Sequence, residues 1–167
     1  MQTQRAVEHI RERLAGISDL YNRLVLVVGP ARCGKTAILR AFALGNQLPL
    51  LNLGLELSRR LLDLTERQRI LQLPALLENI VATPGADTVM LDNTEVLFNP
   101  ALRQDPLRLL MGLSRNRTVI SSWLGELAGP HLTYAAPGHP EFRRYPADGL
   151  LVVGAGQRND LAEGKER

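Results

Sequence analysis

Residues 29–36 read Gly-Pro-Ala-Arg-Cys-Gly-Lys-Thr, which fits the pattern G-x-x-x-x-G-K-[ST] at every required position. This pattern is the phosphate-binding P-loop, or Walker A motif. The apolar run over 24–28 predicts a buried strand before the motif, and residues 36–44 favour a helix after it. A strand, a glycine-rich turn and a helix in this order predict a nucleoside triphosphate site in an α/β fold.

The residue types in this motif match what a phosphate chain requires. Gly29 and Gly34 allow a tight turn and a close approach of the backbone, whose N–H groups would face the phosphates at a helix N-terminus. Lys35 would supply positive charge to the β- and γ-phosphates, and Thr36 is the expected magnesium ligand. The predicted binding residues for ATP and Mg²⁺ are Gly29, Pro30, Ala31, Arg32, Cys33, Gly34, Lys35, Thr36 and Ala37.

Composition excludes several classes of function. A length of 167 residues, with 45% hydrophobic and 22% charged residues, is typical of one soluble domain. We expect no membrane segment and a cytoplasmic location, because no apolar run has transmembrane length and the N-terminus does not resemble a signal peptide. The single cysteine excludes an internal disulfide and a cysteine-rich zinc site. A net charge of +3 leaves DNA contact open without indicating it.

Strands and helices alternate along the rest of the chain. The predicted strands cover 24–28, 48–53, 88–92, 117–121, 132–136 and, at an edge, 150–153. The predicted helices cover 3–18, 36–44, 56–64, 65–83 and 106–115. We expect Pro74 to kink or divide its helix, and residues 123–128 to form a helical turn.

This alternation predicts a P-loop NTPase fold with three layers. Its mostly parallel sheet of five strands would have helices on both faces, without a separate lid domain. We assign residues 1–153 to a single domain with an N-terminal amphipathic helix over 3–18. Residues 154–167 are expected to form a flexible tail.

A second motif lies at residues 88–92, where an apolar strand ends in an acidic residue. This pattern fits Walker B, because ligands of open α/β sheets bind at the carboxyl ends of the strands. Asp92 would then hold magnesium together with Thr36. The alternative is that Asp92 only forms a turn at the end of its strand.

The residue after Asp92 departs from a common ATPase pattern. Many ATPases of the additional-strand class carry a glutamate there that polarises the attacking water, whereas this chain has Asn93, with Glu95 two positions further on. Three interpretations stay open: Glu95 reaches the water from the next helical turn, Asn93 positions water without acting as a base, or hydrolysis needs a partner. We favour weak ATPase activity with Glu95 as the base.

The strand after Walker B offers a further candidate. Ser121, at the predicted end of that strand, could contact the γ-phosphate or water as a sensor, and Ser122 could do the same. Ordinary hydrogen bonding at the end of a strand is the alternative for both. The predicted catalytic residues are Lys35, Asp92, Asn93, Glu95 and Ser121.

With both Walker motifs, the run Leu-Asp-Asn-Thr-Glu at 91–95 and Phe98, the chain resembles the BrxF family of small P-loop proteins from BREX phage-defence systems. The resemblance covers residues 5–153. It implies an AAA+/STAND-like bacterial ATPase component that works with a DNA methyltransferase and larger ATPases. Lys35, Thr36 and Asp92 would carry over as nucleotide-site residues.

Three functions therefore remain open. The first is an ATPase subunit that acts as a homo-oligomer or with other defence proteins. The second is a small-molecule or nucleotide kinase, in which arginines would clamp an acceptor phosphate. The third is a nucleotide-sensing scaffold without turnover. The candidates for an arginine that reaches a neighbouring phosphate site are Arg115, Arg117, Arg143 and Arg144.

Overall fold

The computed structural model describes residues 2–82 and 85–155. Within these residues the helices are α1 (Gln2–Leu14), α2 (Lys35–Asn46), α3 (Leu53–Leu61), α4 (Glu66–Ala82) and α5 (Pro106–Leu113). The strands are β1 (Leu24–Gly29), β2 (Leu50–Asn52), β3 (Thr88–Asp92), β4 (Thr118–Ala128), β5 (His131–Tyr134), β6 (Arg143–Pro146) and β7 (Leu151–Gly154). Short 3-10 helices cover Ile17–Asp19, Thr94–Phe98 and Pro100–Leu102.

Strands β2, β3, β4, β1 and β7 form, in this order, a parallel sheet. β4 lies between the strand that precedes the P-loop and the strand that ends in Asp92, and β7 is the edge strand predicted over 150–153. Because parallel strands end at the same edge of a sheet, the end of β1 at Gly29 and the end of β3 at Asp92 lie at one edge. The prediction of an α/β fold with a mostly parallel sheet is confirmed.

Helices cover both faces of this sheet. Leu24, Leu26 and Val28 of β1 pack in a core with α3, α4 and α5, whereas Val25 and Val27 pack in a second core with α1 and α2. Successive side chains of a strand point to opposite faces, so β1 contributes to both cores. All of β1 is buried, which explains why its sequence is continuously apolar rather than alternating.

The prediction of a helical turn over residues 123–128 is wrong. β4 continues through this segment to Ala128 and pairs with β5 in an antiparallel hairpin. Gly129, with φ of 58°, begins the two-residue turn of this hairpin, where positive φ suits the twist of the strands. A short apolar segment does not distinguish helix from strand by itself, and here the pairing partner decides.

The hairpin also changes the place of the strand predicted over 132–136. β5 lies antiparallel to β4 instead of joining the parallel strands, and it pairs in turn with β6, which the sequence analysis did not predict. β5 and β6 therefore form an antiparallel extension of the sheet. They join it through the C-terminal part of β4, which continues beyond the end of β1.

Two helix boundaries differ from the predictions for local reasons. α1 ends at Leu14 instead of continuing to residue 18, and Gly16 then adopts a left-handed conformation with φ of 75°. Glycine takes this conformation without steric cost, so it stops the helix. α3 begins earlier than predicted because the side chain of Asn52 accepts a hydrogen bond from the N–H of Leu55, which caps the helix.

The predicted tail over 154–167 begins too early. Gly154 closes β7, and Ala155 is fully buried, with its N–H donating to the carbonyl of Val28 at 2.7 Å. These two residues therefore belong to the edge of the sheet. Residues 156–167 lie outside the described part of the chain.

α4 passes through Pro74 without being divided. A proline has no N–H, so the carbonyl of Ile70, one helical turn earlier, lacks its usual partner. The side chain of Gln104 donates to that carbonyl at 3.0 Å and replaces the missing bond. The helix predicted over 65–83 is therefore one helix as far as Ala82, and residue 83 lies outside the described residues.

This substitute hydrogen bond can be tested by a double-mutant cycle. Gln104→Ala is expected to lower the free energy of unfolding by about 1 kcal/mol, because the partly buried carbonyl of Ile70 loses its donor. Pro74→Ala restores the N–H, so Gln104→Ala in that background should cost much less. Urea unfolding followed by circular dichroism measures both steps. Equal costs in the two backgrounds would contradict this role of Gln104.

Candidate nucleotide-binding site

The P-loop connects the end of β1 to the start of α2 in five residues that turn sharply. Gly34 has φ of 99°, a left-handed conformation that favours glycine. A side chain at Gly29 would place its Cβ 2.4 Å from Cys33 Sγ and 2.6 Å from the carbonyl oxygen of Ala155. The two glycines of the motif are therefore required by the shape of the loop before any ligand is considered.

The ammonium group of Lys35 lies inside this turn. Its Nζ donates to the carbonyls of Gly29 at 2.8 Å and Pro30 at 2.6 Å, with Cys33 Sγ at 3.9 Å. Lys35 is 8% exposed, and almost no lysine is buried so deeply without partners. The loop therefore holds a positive charge at its centre, directly before the N-terminus of α2, where the helix dipole also favours an anion.

The second motif meets the first at Thr36. Its hydroxyl donates to Asp92 Oδ2 at 2.7 Å, although the residues lie 56 positions apart in the chain. The other carboxylate oxygen, Oδ1, accepts a hydrogen bond from the N–H of Asn93 at 2.9 Å. Hydrogen bonds to both oxygens therefore fix the orientation of the carboxylate. Asp92 is 7% exposed and belongs to the cleft rather than to an exposed turn.

This hydroxyl and carboxylate fit a magnesium ion. Mg²⁺ prefers oxygen ligands and usually keeps several waters, so one or two protein ligands together with phosphate oxygens are sufficient. Among the described residues there is no cluster of three or more His, Cys, Asp or Glu side chains that could hold a metal ion by itself. A magnesium ion at Thr36 and Asp92 would therefore need ligands from a bound phosphate or from water.

The P-loop and its neighbours line a cleft of about 520 Å³, which we call the P-loop cleft. Its lining includes most of the predicted binding residues together with Asp92, Asn93 and Glu95. The lining residues are Ala31, Arg32, Cys33, Gly34, Lys35, Thr36, Ala37, Arg40, Asp92, Asn93, Glu95 and Leu124. Gly29 and Pro30 contribute the carbonyls that hold Lys35.

Asn93 and Glu95 both reach this cleft from the segment after β3. Asn93 has φ of 53° and immediately precedes the 3-10 helix that carries Glu95 in its first turn. The hydroxyl of Thr94 donates to the carbonyl of Ser122 at 2.8 Å, and this hydrogen bond connects the 3-10 helix to β4. The structure therefore places a carboxylate near the phosphate site through the 3-10 helix rather than directly after Asp92.

Ser121 does not occupy the position predicted for it. β4 continues well beyond Ser121, whose fully buried hydroxyl donates to the carbonyl of Ser122 at 3.0 Å and does not line the P-loop cleft. Leu91 and Ser121 are register partners, so the next residues, Asp92 and Ser122, share the other face of the sheet. The buried hydroxyl of Ser122 has no hydrogen bond within the described residues.

The arginines named from the sequence lie elsewhere. Arg117 pairs with Glu78 at 3.1 Å, Arg143 donates to the carbonyl of Gln104, and Arg115 lies over the ring of Tyr21. None of these, nor Arg144, lines the P-loop cleft. Arg40, which the sequence analysis missed, does line it, and its position one helical turn after Thr36 was the available signal.

The fold and the site together define an α/β protein with a mostly parallel sheet and a P-loop at its carboxyl edge. No protein-family model matches the sequence, and no curated protein matches it. Among solved structures, the chain is similar to PCH-2 from C. elegans, with 14% sequence identity and a TM-score of 0.42. The match covers 91% of this chain and 41% of that chain. No helix among the described residues is long and apolar enough to cross a membrane.

Proposed function

We propose that this protein binds a nucleoside triphosphate with Mg²⁺, ATP being the expected nucleotide, and hydrolyses it slowly unless a partner stimulates it. The observation that carries the proposal is the contact of Thr36 with Asp92 at 2.7 Å, in the same cleft as the buried Lys35. A magnesium ion and the β- and γ-phosphates need this combination of a hydroxyl, a carboxylate and a lysine at one helix N-terminus.

Each group would then have a defined part in hydrolysis. Lys35 and the backbone N–H groups of the loop bind the phosphates, and Thr36 with Asp92 holds the magnesium ion. Water attacks the γ-phosphorus, the bond to the bridging oxygen breaks, and ADP leaves. Glu95 accepts the proton of the attacking water. Turnover is slow because the neutral Asn93 lies directly after Asp92, and the carboxylate must act from the 3-10 helix.

The proposed role of Glu95 as the proton acceptor can be tested by substitution. Glu95→Gln is expected to lower the single-turnover rate of ATP hydrolysis by about 100-fold or more, because the amide cannot accept a proton. ATP affinity should stay within a few-fold of the original value. Glu66→Gln, an exposed carboxylate on α4, is the matched control and should leave the rate unchanged. An unchanged rate in Glu95→Gln would remove Glu95 from this role and favour Asn93 or a partner.

We further propose that the protein acts as a subunit of a bacterial phage-defence assembly of the BREX type. The sequence resemblance supports this proposal, together with the slow unaided turnover expected from Asn93 and Glu95. Size measurement by light scattering, with and without a non-hydrolysable ATP analogue and the other proteins of the system, tests it. A monomer under every condition would contradict the assembly. Transfer of the γ-phosphate to an acceptor, instead of release of inorganic phosphate, would favour a kinase.

A further inference from the structure

A second cavity, of about 730 Å³, adjoins the P-loop cleft. The two share Ala31, Glu95 and Leu124, so Glu95 lies on the wall between them. Its volume falls in the range of small-molecule sites. We call it the hairpin cavity, because β4, β5 and the loop after β5 supply most of its lining, including Leu124, Glu126, Tyr134, Pro137, His139 and Glu141.

The floor of the hairpin cavity is aromatic and carries one unpartnered polar atom. Tyr134 is 2% exposed and lines the cavity, and its ring stacks on Phe98 with ring centres 3.4 Å apart. Burial and two neighbouring charges act on its hydroxyl, and no hydrogen bond to it is formed within the described part of the chain. The hydroxyl is not one of the fully enclosed polar atoms without a partner, so it is accessible from the cavity and available to a bound molecule.

The cavity is negatively charged although the chain as a whole is positive. Glu95 and Glu141, the two carboxylates whose charges act on Tyr134, line it, and neither forms an ion pair with a described residue. Glu126 also lines it, but it pairs with Thr133, the residue before Tyr134, so its side chain points to the opposite face of the hairpin. No lysine or arginine of residues 2–82 and 85–155 lines this cavity, although the sequence contains 20 of them. Burial, and then the charges of Glu141 and Glu95, raise the pKa of Tyr134, so its phenol stays protonated beside both carboxylates. This charge opposes phosphate and favours a cation.

We propose that the hairpin cavity binds a small organic cation, an ammonium or amidinium group on an apolar body that contains a ring. The apolar body packs against Tyr134 and Leu124, and the cationic group lies near Glu95 and Glu141. The hydroxyl of Tyr134 accepts a hydrogen bond from the cation. The site does not depend on the proposed nucleotide function. Because Glu95 borders both cavities, the cation also lies next to the phosphates of a nucleotide bound as proposed above.

The fluorescence of Trp123 can report ligand binding in the hairpin cavity. Trp123 is the single tryptophan of the chain, is fully buried, and lies 6.1 Å from the ring of Tyr134. Tryptophan fluorescence should therefore change when a ligand enters the cavity. The probes are phenethylamine, the neutral phenethyl alcohol and the anionic phenylacetate. We expect the amine to bind at least about tenfold more tightly than the alcohol, from charge-assisted hydrogen bonds, and phenylacetate not to bind.

Variants separate this site from its alternatives. Glu141→Gln should weaken amine binding about tenfold and Tyr134→Phe by less, whereas Glu12→Gln, an exposed carboxylate on α1, should leave it unchanged. Calorimetry at millimolar amine provides a second readout. Equal affinity for amine and alcohol, an unchanged affinity in Glu141→Gln, or no heat and no fluorescence change would each overturn the proposal.

Lys35→Ala distinguishes failure of this proposal from failure of the nucleotide function. A folded Lys35→Ala variant should lose ATP binding and keep amine binding within a few-fold, because Lys35 does not line the hairpin cavity and the loop contributes only Pro30 and Ala31 to its wall. If the original protein binds amine but not ATP, the nucleotide function fails alone. Loss of amine binding in folded Lys35→Ala would show that the cavity is not a separate site.

Discussion

Lys35→Ala is expected to weaken ATP binding by at least about 100-fold, because each charge-assisted hydrogen bond to a phosphate contributes about 1.5–3 kcal/mol. The buried ammonium group also stabilises the turn by donating hydrogen bonds to the carbonyls of Gly29 and Pro30. The variant therefore removes the charge that the phosphates need and loosens the loop that positions their N–H donors. Isothermal titration calorimetry with a non-hydrolysable ATP analogue and Mg²⁺ measures the loss.

Arg5→Ala is the matched control for Lys35→Ala. Arg5 is an exposed cation on α1, so its removal lowers the net charge equally without touching the P-loop cleft. ATP affinity should stay within about twofold, because exposed charges at a distance are largely screened by salt. A thermal melt of both variants checks that each is folded. ATP binding of original strength in folded Lys35→Ala would contradict the proposed nucleotide site.

Gly125→Ala is expected to destabilise the protein by about 3 kcal/mol or more, because the new Cβ has no room. It would lie 1.8 Å from the carbonyl oxygen of Thr133 and 3.1 Å from Trp123 Nε1, which donates to that same carbonyl at 2.9 Å. The hairpin of β4 and β5 must open to accept the methyl group. We expect a melting temperature lower by about 6–12 °C, measured by calorimetry.

Gly112→Ala is the control, because it should raise the stability of the protein instead of lowering it. Gly112 lies in α5, and apart from its chain neighbours and the backbone of its own helix, no atom of the described residues lies within 4 Å of the Cβ that alanine would add. Alanine in a helix is more stable than glycine by about 0.5–1 kcal/mol, so this variant should melt slightly higher. A stability of Gly125→Ala close to that of the original protein would mean that the close contact of β4 and β5 is not present in solution.

The course of β4 shows where sequence reasoning failed. The segment after Ser122 contains apolar residues, a glycine and a glutamate in an order that fits neither a long helix nor a clear alternation. It becomes a strand because β5 offers an antiparallel pairing partner, and the sequence predicts the strand over 132–136 without its direction. The hairpin cavity follows from this pairing, so no pattern in the sequence could have predicted it.

The choice between Ser121 and Ser122 also depends on strand pairing that the sequence does not reveal. Adjacent residues of a strand point to opposite faces, so a sensor at one of them excludes the other. The sequence contains two serines in a row and cannot say which one shares a face with Asp92. The register of β3 with β4 decides this, because Leu91 pairs with Ser121, so Asp92 and Ser122 lie on the same face of the sheet.

The sequence by itself determined the P-loop, the strand that leads into it and the helix that leaves it. These depend on contiguous residues, whose backbone preferences and hydrogen bonds are local. It also indicated Asp92 as a candidate magnesium ligand. Only the tertiary structure decided that Asp92 accepts the hydroxyl of Thr36 at 2.7 Å and that a charged cavity adjoins Glu95. Both results depend on the packing of segments that lie far apart in the chain.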